Sequence, residues 1–326
     1  MSCEGGRYGD GAAAVDAYCG AMTANAQAQW LAVLNPVSGG GRGLRQRARI
    51  ERLLRECDVD YRLVVSERAG QAIALARDAA RGGCRRFVCI GGDGTLNEVL
   101  NGALEAGAGD TTLALIPVGR GDDWARTFGI PRDFQAAVRL IAAGHTKRQD
   151  VGLARFEHGG STVQRHFINV AGVGFDAHVV QRTRALRLGP LTYLAGLLQG
   201  FLTFRAPRLR VTAGAFVRDE NMFLAFAAIG RYCGGGMQVA PQAIVDDGEF
   251  DVVTVGEVGK GELVLNLRRL FDGTLPEYPK VKTALAAQVR VEAVPPAQVE
   301  ADGELLGHTP VTFSVLPRAV RVVAPG

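Results

Sequence analysis

From Trp30 onward, short apolar runs alternate with stretches whose apolar residues return at helical spacing. The runs at 31–34 (LAVL), 61–66 (YRLVVS), 86–90 (RFVCI) and 113–117 (LALIP) read as buried strands. Between them Leu44, Ile50, Leu53 and Leu54, then 71–81 and 96–106, read as helices. Strand, loop and helix in that repeating order predict a parallel sheet covered by helices, in which ligands bind beyond the carboxyl ends of the strands. Beyond about 150 the pattern changes. Segments 167–176, 208–213, 222–230, 250–255, 289–293 and 311–315 are Val- and Phe-rich strands, interrupted by helical stretches at 174–188, 190–204 and 260–271. The chain therefore reads as an α/β domain over 27–150 and a mostly antiparallel, β-rich domain over 151–315, with a cleft between them. An Ala/Gly-rich loose tail over 1–26 precedes them, with Met22 as an alternative start.

Composition narrows the functions this pattern can serve. At 326 residues and 47% hydrophobic content, with a mean hydropathy of +0.08, the chain is long enough to bury two cores. The net charge of +4 comes without any run of five like charges, which argues against a nucleic-acid-binding stripe and leaves a weak attraction to anionic lipid surfaces. Cys3, Cys19, Cys57, Cys84, Cys89 and Cys233 are scattered without a CxxC pair, the usage of free thiols in a reducing compartment. No stretch reaches the roughly 18 consecutive apolar residues of a membrane span. The nearest, 191–204, is broken by Thr192, Gln199 and Gly200. A cytoplasmic protein is expected, with peripheral attachment at the inner membrane face left open. The 43 glycines stand well above the roughly 7% of average proteins, and several fall where strands end.

Those glycine loops carry the first chemistry. Gly91-Gly92-Asp93-Gly94-Thr95 follows a buried strand and opens a helix. Missing Cβ atoms let backbone N–H groups face a phosphate, and the helix dipole favours the anion. A carboxylate at Asp93 would repel that anion unless a cation such as Mg2+ lay between them; the alternative is a plain turn capped by Asp or Thr. Two further loops, Asn35-Pro36-Val37-Ser38-Gly39-Gly40-Gly41 and Pro117-Val118-Gly119-Arg120-Gly121-Asp122-Asp123, sit at the same sheet edge, so that a nucleotide held across the strand ends is expected. In the second half, 241–251 (PQAIVDDGEFD) gathers carboxylates around a glycine, which suits either a hard cation or a charged turn. Asp302-Gly303-Glu304 reads equally as a solvated hairpin turn or as a source of a general base.

The order NPVSGG, GGDGTLNEVLNG, PVGRGDD-WAR, PQAIVDDGEFDV and ADGE resembles the diacylglycerol kinase catalytic-domain family, and most closely its bacterial soluble lipid kinases, over about 30–326. The resemblance implies a nucleotide domain like those of phosphofructokinase and NAD kinase, and a β-rich lipid domain whose last strand, 316–326, returns to the first. It implies ATP and Mg2+ as cofactors and transfer of the γ-phosphoryl group to a lipid hydroxyl, diacylglycerol giving phosphatidic acid. The lipid is then presented at a membrane surface; by its own residues the 191–204 stretch with its flanking arginines can line an acyl pocket, touch the bilayer surface or be an ordinary core helix, and a homodimer is left open. Carried over, Gly91, Gly92, Asp93, Gly94, Thr95 and Asn97 form the ATP-phosphate loop, with Asp93 organising catalytic Mg2+. Asn35, Ser38, Gly39 and Arg42 flank the nucleotide, as do Gly119, Arg120 and Asp123. Asp247 with the carbonyls of Ile244 and Glu249 forms a structural Mg2+ site. Asp302 and Glu304 form the general-base motif, Glu304 having the longer reach. Two other readings stay open, an NAD-kinase-like kinase of a soluble substrate and a non-catalytic nucleotide- or lipid-binding regulator.

One segment departs from the family pattern. Where the family typically reads Gly-Thr-x-Asn-Asp, this chain has Gly119-Arg120-Gly121-Asp122-Asp123. Arg120 can pair with a phosphate and with Asp122, can form a local salt bridge that leaves function unchanged, or can mark altered nucleotide use or lost activity.

Overall fold

The computed structural model describes residues 29–185 and 203–326. The 1–26 tail and all but the end of the 191–204 stretch lie outside them. In the first half β1 (Trp30–Leu34), β2 (Tyr61–Val65), β3 (Arg86–Gly91) and β4 (Thr112–Pro117) form a parallel sheet in the order β2-β1-β3-β4. The helices α1 (Ser38–Glu56), α2 (Gln71–Arg81), α3 (Asp93–Glu105), α4 (Asp123–Phe128) and α5 (Phe134–Ala143) cover it. Alternation along the strands sorts the core. Leu31, Val33, Phe87 and Cys89 pack with α2 and α3, whereas Trp30, Ala32, Leu34, Val88 and Ile90 pack with α1 and α5. Sequence patterning missed α5. It also missed β5 (Thr146–His158), which runs past residue 150 without a break, and its hairpin partner β6 (Ser161–Phe167).

The second half packs two antiparallel layers face to face. The strands β7 (Val170–Gly174), β8 (Arg208–Ala213), β9 (Phe216–Ala228), β12 (Phe250–Gly256), β13 (Val281–Ala286), β14 (Gln288–Ala293), β15 (Gln298–Ala301), β16 (Glu304–His308) and β17 (Val311–Val323) build them. Two short strands, β10 (Tyr232–Cys233) and β11 (Met237–Gln238), form a separate ladder. The long β9 belongs to both layers, since its first half pairs with β8 and its second with β7 and β12. Phe167, Phe250 and Phe313 meet at the centre of the sandwich, ring centroids 5.7 and 5.8 Å from Phe167. Outside it lies α6 (Phe175–Ala185), and the predicted 260–271 helix divides into α7 (Lys260–Asn266) and α8 (Arg269–Asp272).

Two strands tie the halves together. β5 and β17 pair antiparallel from Thr146↔Val323 to Phe156↔Val311, and the end of β17 adds to the first sheet parallel to β4, Arg321 opposite Thr112. The register shifts between Leu316 and Val320, where Arg318 takes a left-handed φ of 49°. The buried Asp150 carboxylate fills this irregularity, accepting from Arg318 N (2.6 Å) and Gly248 N (2.7 Å).

Within the first half the closest helix approach depends on one glycine. A Cβ on Gly102 of α3 would stand 2.1 Å from the Ile73 carbonyl oxygen of α2. Ala is intrinsically better than Gly in a helix by about 1 kcal/mol, so any net loss measures overpacking. Gly102→Ala is expected to destabilise the protein by about 1–3 kcal/mol in urea unfolding, with unchanged m. A variant as stable as the parent would show that the two helices are free to separate.

Candidate active site

The three glycine loops converge. A Cβ on Gly39 would lie 1.9 Å from the Val118 oxygen, and one on Gly119 would lie 2.8 Å from Gly92 Cα, so bare backbone is what lets these strand ends touch. Gly39, Gly40 and Gly41 all take positive φ, between 60° and 83°, turning the chain before the regular part of α1 begins. Thr95 holds the first loop to α3, because its hydroxyl accepts from Asn35 Nδ2 (3.1 Å) and lies 3.4 Å from Ser38 Oγ. It is buried on Gly91, where a Cβ would meet that hydroxyl at 2.3 Å. Thr95 and Asn35 therefore brace the loops, while Gly94, with open space beside it, faces outward at the α3 N-terminus. The Arg42 guanidinium lies over the Phe134 ring at 4.9 Å, and it is Arg45 that donates to Gly40 O (2.9 Å).

Beside this cradle lie three carboxylates. Asp93 accepts at Oδ2 from Asp123 N and at Oδ1 from Trp124 N, each at 3.1 Å, and so caps α4. Asp123 accepts at Oδ2 from Gly235 N (2.7 Å) in a run of three left-handed glycines, 234–236. Its Oδ1 is buried without a hydrogen-bond donor, the nearest cation being Arg126 Nε at 3.8 Å. Asp122 Oδ1 is likewise buried without a donor. Burial raises all three carboxyls, most clearly Asp122, which burial and the Asp93 charge push up to about 6. The pairing of Arg120 with Asp122, one of the readings left open by the sequence, is not formed: Arg132 Nη2 lies 3.6 Å from Asp122 Oδ2 and donates to Gly121 O at 2.7 Å. Arg120 is exposed, its Nη2 3.5 Å from where a Gly40 Cβ would stand, at the mouth of the cradle.

The 302–304 turn reaches the same edge from the second half. Asp302 accepts at Oδ2 from Asn97 Nδ2 and Ile168 N, both at 2.8 Å, and at Oδ1 from Asn169 N (3.0 Å) and Val170 N (3.1 Å). These bonds break the strand predicted over 167–176 into β6 and β7. Burial pushes the Asp302 carboxyl up to about 6 despite four donors. Asn97 was expected at the nucleotide; instead it is 1% exposed and turned into this junction. Its amide N also donates to His166 O (3.1 Å), and its Oδ1 accepts from Arg165 Nη2 (3.0 Å). Arg165 Nη2 also lies 3.3 Å from Glu304 Oε2. Glu304 keeps about a third of its side chain exposed and is the freer carboxylate of the pair.

The 244–249 segment sits apart from the loops. Asp247 Oδ1 accepts from Glu249 N (3.1 Å), and the loop is docked through Val245 O, Asp246 O and Gly248 N onto Asp150 and Arg318. Ile244 is exposed. Among the described residues no cluster of three or more His, Cys, Asp or Glu is arranged to hold a metal ion.

Sequence reasoning missed Arg132, Arg165, Asn169 and the 234–236 glycines. Only the glycine triplet had a visible signal; the others come into range through pairing that is distant in sequence.

Asp122 has a measurable consequence. Its folded carboxyl titrates near 6 against 3.8 for the ordinary group. The folded state thus favours the neutral form, and the stability this gives below pH 3.8 is lost as pH rises to about 6. Asp122 also takes a left-handed φ of 50°, which Asn tolerates. Asp122→Asn is expected to stabilise the nucleotide-free protein by on the order of 1–3 kcal/mol at pH 8 and little at pH 4, read by urea unfolding in EDTA. Equal effects at both pH values would contradict this.

Comparison with known proteins places the chain. Residues 29–154 match the diacylglycerol kinase catalytic domain, and 169–324 match the YegS C-terminal NAD kinase beta sandwich-like domain. A diacylglycerol kinase of Mycobacterium tuberculosis is 30% identical over 299 residues, covering 90% of this chain and 94% of that protein. One of Staphylococcus aureus is 28% identical over 296 residues, covering 90% and 91%. A solved structure described as a putative diacylglycerol kinase from Bacillus anthracis superposes with a TM-score of 0.73 at 25% identity, over 92% of this chain and 97% of that one. Yeast NADH kinase shares the fold at a TM-score of 0.50 and 11% identity, over 91% of this chain and 84% of that one. With two family domains end to end and a 30% identical relative over nearly its whole length, the chain belongs to the diacylglycerol kinase catalytic-domain family of lipid-kinase phosphotransferases.

Proposed function

We propose that the protein transfers the γ-phosphoryl group of ATP to the hydroxyl of diacylglycerol presented at a membrane surface, giving phosphatidic acid. The observation that carries this reading is the junction at Asp302. It joins the helix that opens at the glycine cradle to the turn that carries Glu304. The cradle supports a nucleotide, since Gly92, Asp93 and Gly94 leave backbone N–H groups at the start of a 13-residue helix and Arg120 lies at its mouth. Buried acceptor oxygens on Asp122 and Asp123 without donors fit a hard cation, with Asp93 beside them. In that place Mg2+ would offset phosphate charge. In the second half Asp247 and the Ile244 and Glu249 carbonyls remain the candidate ligands of a second Mg2+. Burial and the Asp247 charge push the nearby Asp251 up to about 6, only partly offset by the Arg231 guanidinium.

Glu304 takes the hydroxyl proton as the lipid oxygen forms its bond to the γ-phosphorus and the bond to the ADP oxygen breaks. Arg165 holds the Glu304 carboxylate in place. Asp302 keeps the turn fixed and is spent on its four donors. Labelled ATP with diacylglycerol, sphingosine, ceramide and NAD tests the assignment. Label in the organic phase with diacylglycerol supports it; label on NAD alone, or ATP binding without transfer, replaces it with one of the other two readings. Glu304→Gln is expected to lower kcat by about 10²–10⁴ while ATP binding is kept. Unchanged turnover would remove Glu304 as the base.

A further inference from the structure

A second pair of acids lies behind the 302–304 turn, outside the groups used above. In the antiparallel pairing of β7 with β15, Gly172 stands opposite Glu300, so the two share a sheet face. A Cβ on Gly172 would lie 2.2 Å from Asp176 Oδ2. The missing side chain is therefore what admits Asp176, from the first turn of α6, to the face that carries Glu300. Glu300 is 6% exposed, and its Oε2 accepts from Gly303 N at 2.9 Å. Both Asp176 oxygens are buried, and no N–H or O–H reaches either in hydrogen-bond geometry. The Ala177 amide and the Glu300 carboxyl are their polar neighbours.

Two adjacent buried carboxylates cannot both be charged without a cation, and among the described residues no ammonium or guanidinium compensates Asp176. The other titratable groups facing the pair worsen the case. Asp302 bears on Glu300, and the part-buried Cys233 thiol feels Glu300, Asp176 and Asp123 together. We propose that Glu300 and Asp176 share one proton, and that Glu300, as the neutral acid, is a positioning residue for the base turn. It gives its O–H to Asp176 and takes the Gly303 N–H, which ties the turn carrying Glu304 to the start of α6. Burial raises both groups; the Asp176 carboxylate raises Glu300 further, whereas the contact with Glu300 lowers Asp176, which puts the retained proton on Glu300.

The catalytic part of this inference rests on the kinase reading; the shared proton does not. Its first test is the infrared spectrum of the full chain at pH 8 without nucleotide. A protonated-carboxyl carbonyl band is expected in the parent and absent in Glu300→Gln. No band in the parent, or one that persists in the variant, overturns the proposal. The second test is phosphoryl transfer to diacylglycerol in mixed micelles. Glu300→Gln keeps one donor and one acceptor, so its kcat is expected within about twofold of the parent at pH 7. It should also remain active toward pH 9, where the parent falls as the shared proton is lost. Glu300→Val is expected to lower kcat about tenfold or more with KM for ATP unchanged. Equal losses in the two variants, or identical pH profiles for the parent and Glu300→Gln, overturn the positioning role. A parent that phosphorylates no lipid defeats the kinase reading instead, and the infrared band still decides the proton.

Discussion

A single carboxylate organises the meeting of the two halves. Asp302 is part-buried and acceptor-only, and each of its oxygens receives two N–H groups, three from consecutive backbone positions 168–170 and one from Asn97. Hydrogen bonds to a charged group are worth roughly 1.5–3 kcal/mol each, and losing one partner leaves a buried charge exposed to the full desolvation cost. Its carboxyl is still pushed up to about 6, so burial outweighs the four donors. Because three consecutive N–H groups turn toward one side chain, β6 cannot continue into β7, and the break sets where β7 meets β15. Because the fourth donor comes from α3, the same carboxylate fixes the cradle relative to the turn.

The long strands make that arrangement rigid on the other side. β5 and β17 run through both halves, so the halves are cut from one continuous ladder and do not hang on a linker. The single irregularity in that ladder, at Pro317 to Ala319, is filled by Asp150, and Asp150 also receives the 244–249 loop through Gly248 N. A loop whose sequence suggests a cation site is thereby placed at the bend between the halves. A ligand there would act on the geometry of the joint, while the groups proposed to react lie at the strand ends.

The parts legible in the sequence share a local cause. Phosphate loops announce themselves because glycine, strand and helix must be contiguous, and all three loops do converge. Side-chain direction was less legible. Thr95 and Asn97 belong to the same motif as Asp93, yet the helix turns both inward, Thr95 to Asn35 and Asn97 to Asp302. Asn97 and Asn101 lie one turn apart on the face toward β6, where Asn101 Oδ1 accepts from His166 N. Nothing local says that a strand 65 residues later will cover that face. The same limit hid Arg165 and Arg132, and it left Asp302 and Glu304 indistinguishable until the donors around each were known.

The acids around the cleft show how burial sorts chemically similar groups. Asp302 is served by four neutral donors, which offset part of the effect of burial. Glu300 takes one N–H, from Gly303, and Asp176 none, so that on the inference above one proton serves both. Asp122 and Asp123 have donors on one side at most, and each leaves an oxygen buried and bare. A proton on Asp122 would serve below about pH 6; above it Arg132 and Arg126 each face one of the two carboxylates, at 3.6 and 3.8 Å, and a cation bound as proposed would compensate both at once. A nucleotide brought to the adjacent cradle carries its own negative charge, which raises that demand. Binding the polyphosphate and binding a divalent ion are then coupled by electrostatics, each weakening the repulsion that opposes the other. In the proposed reading, Asp at 122, where the family typically has Asn, adds one more charge to that balance.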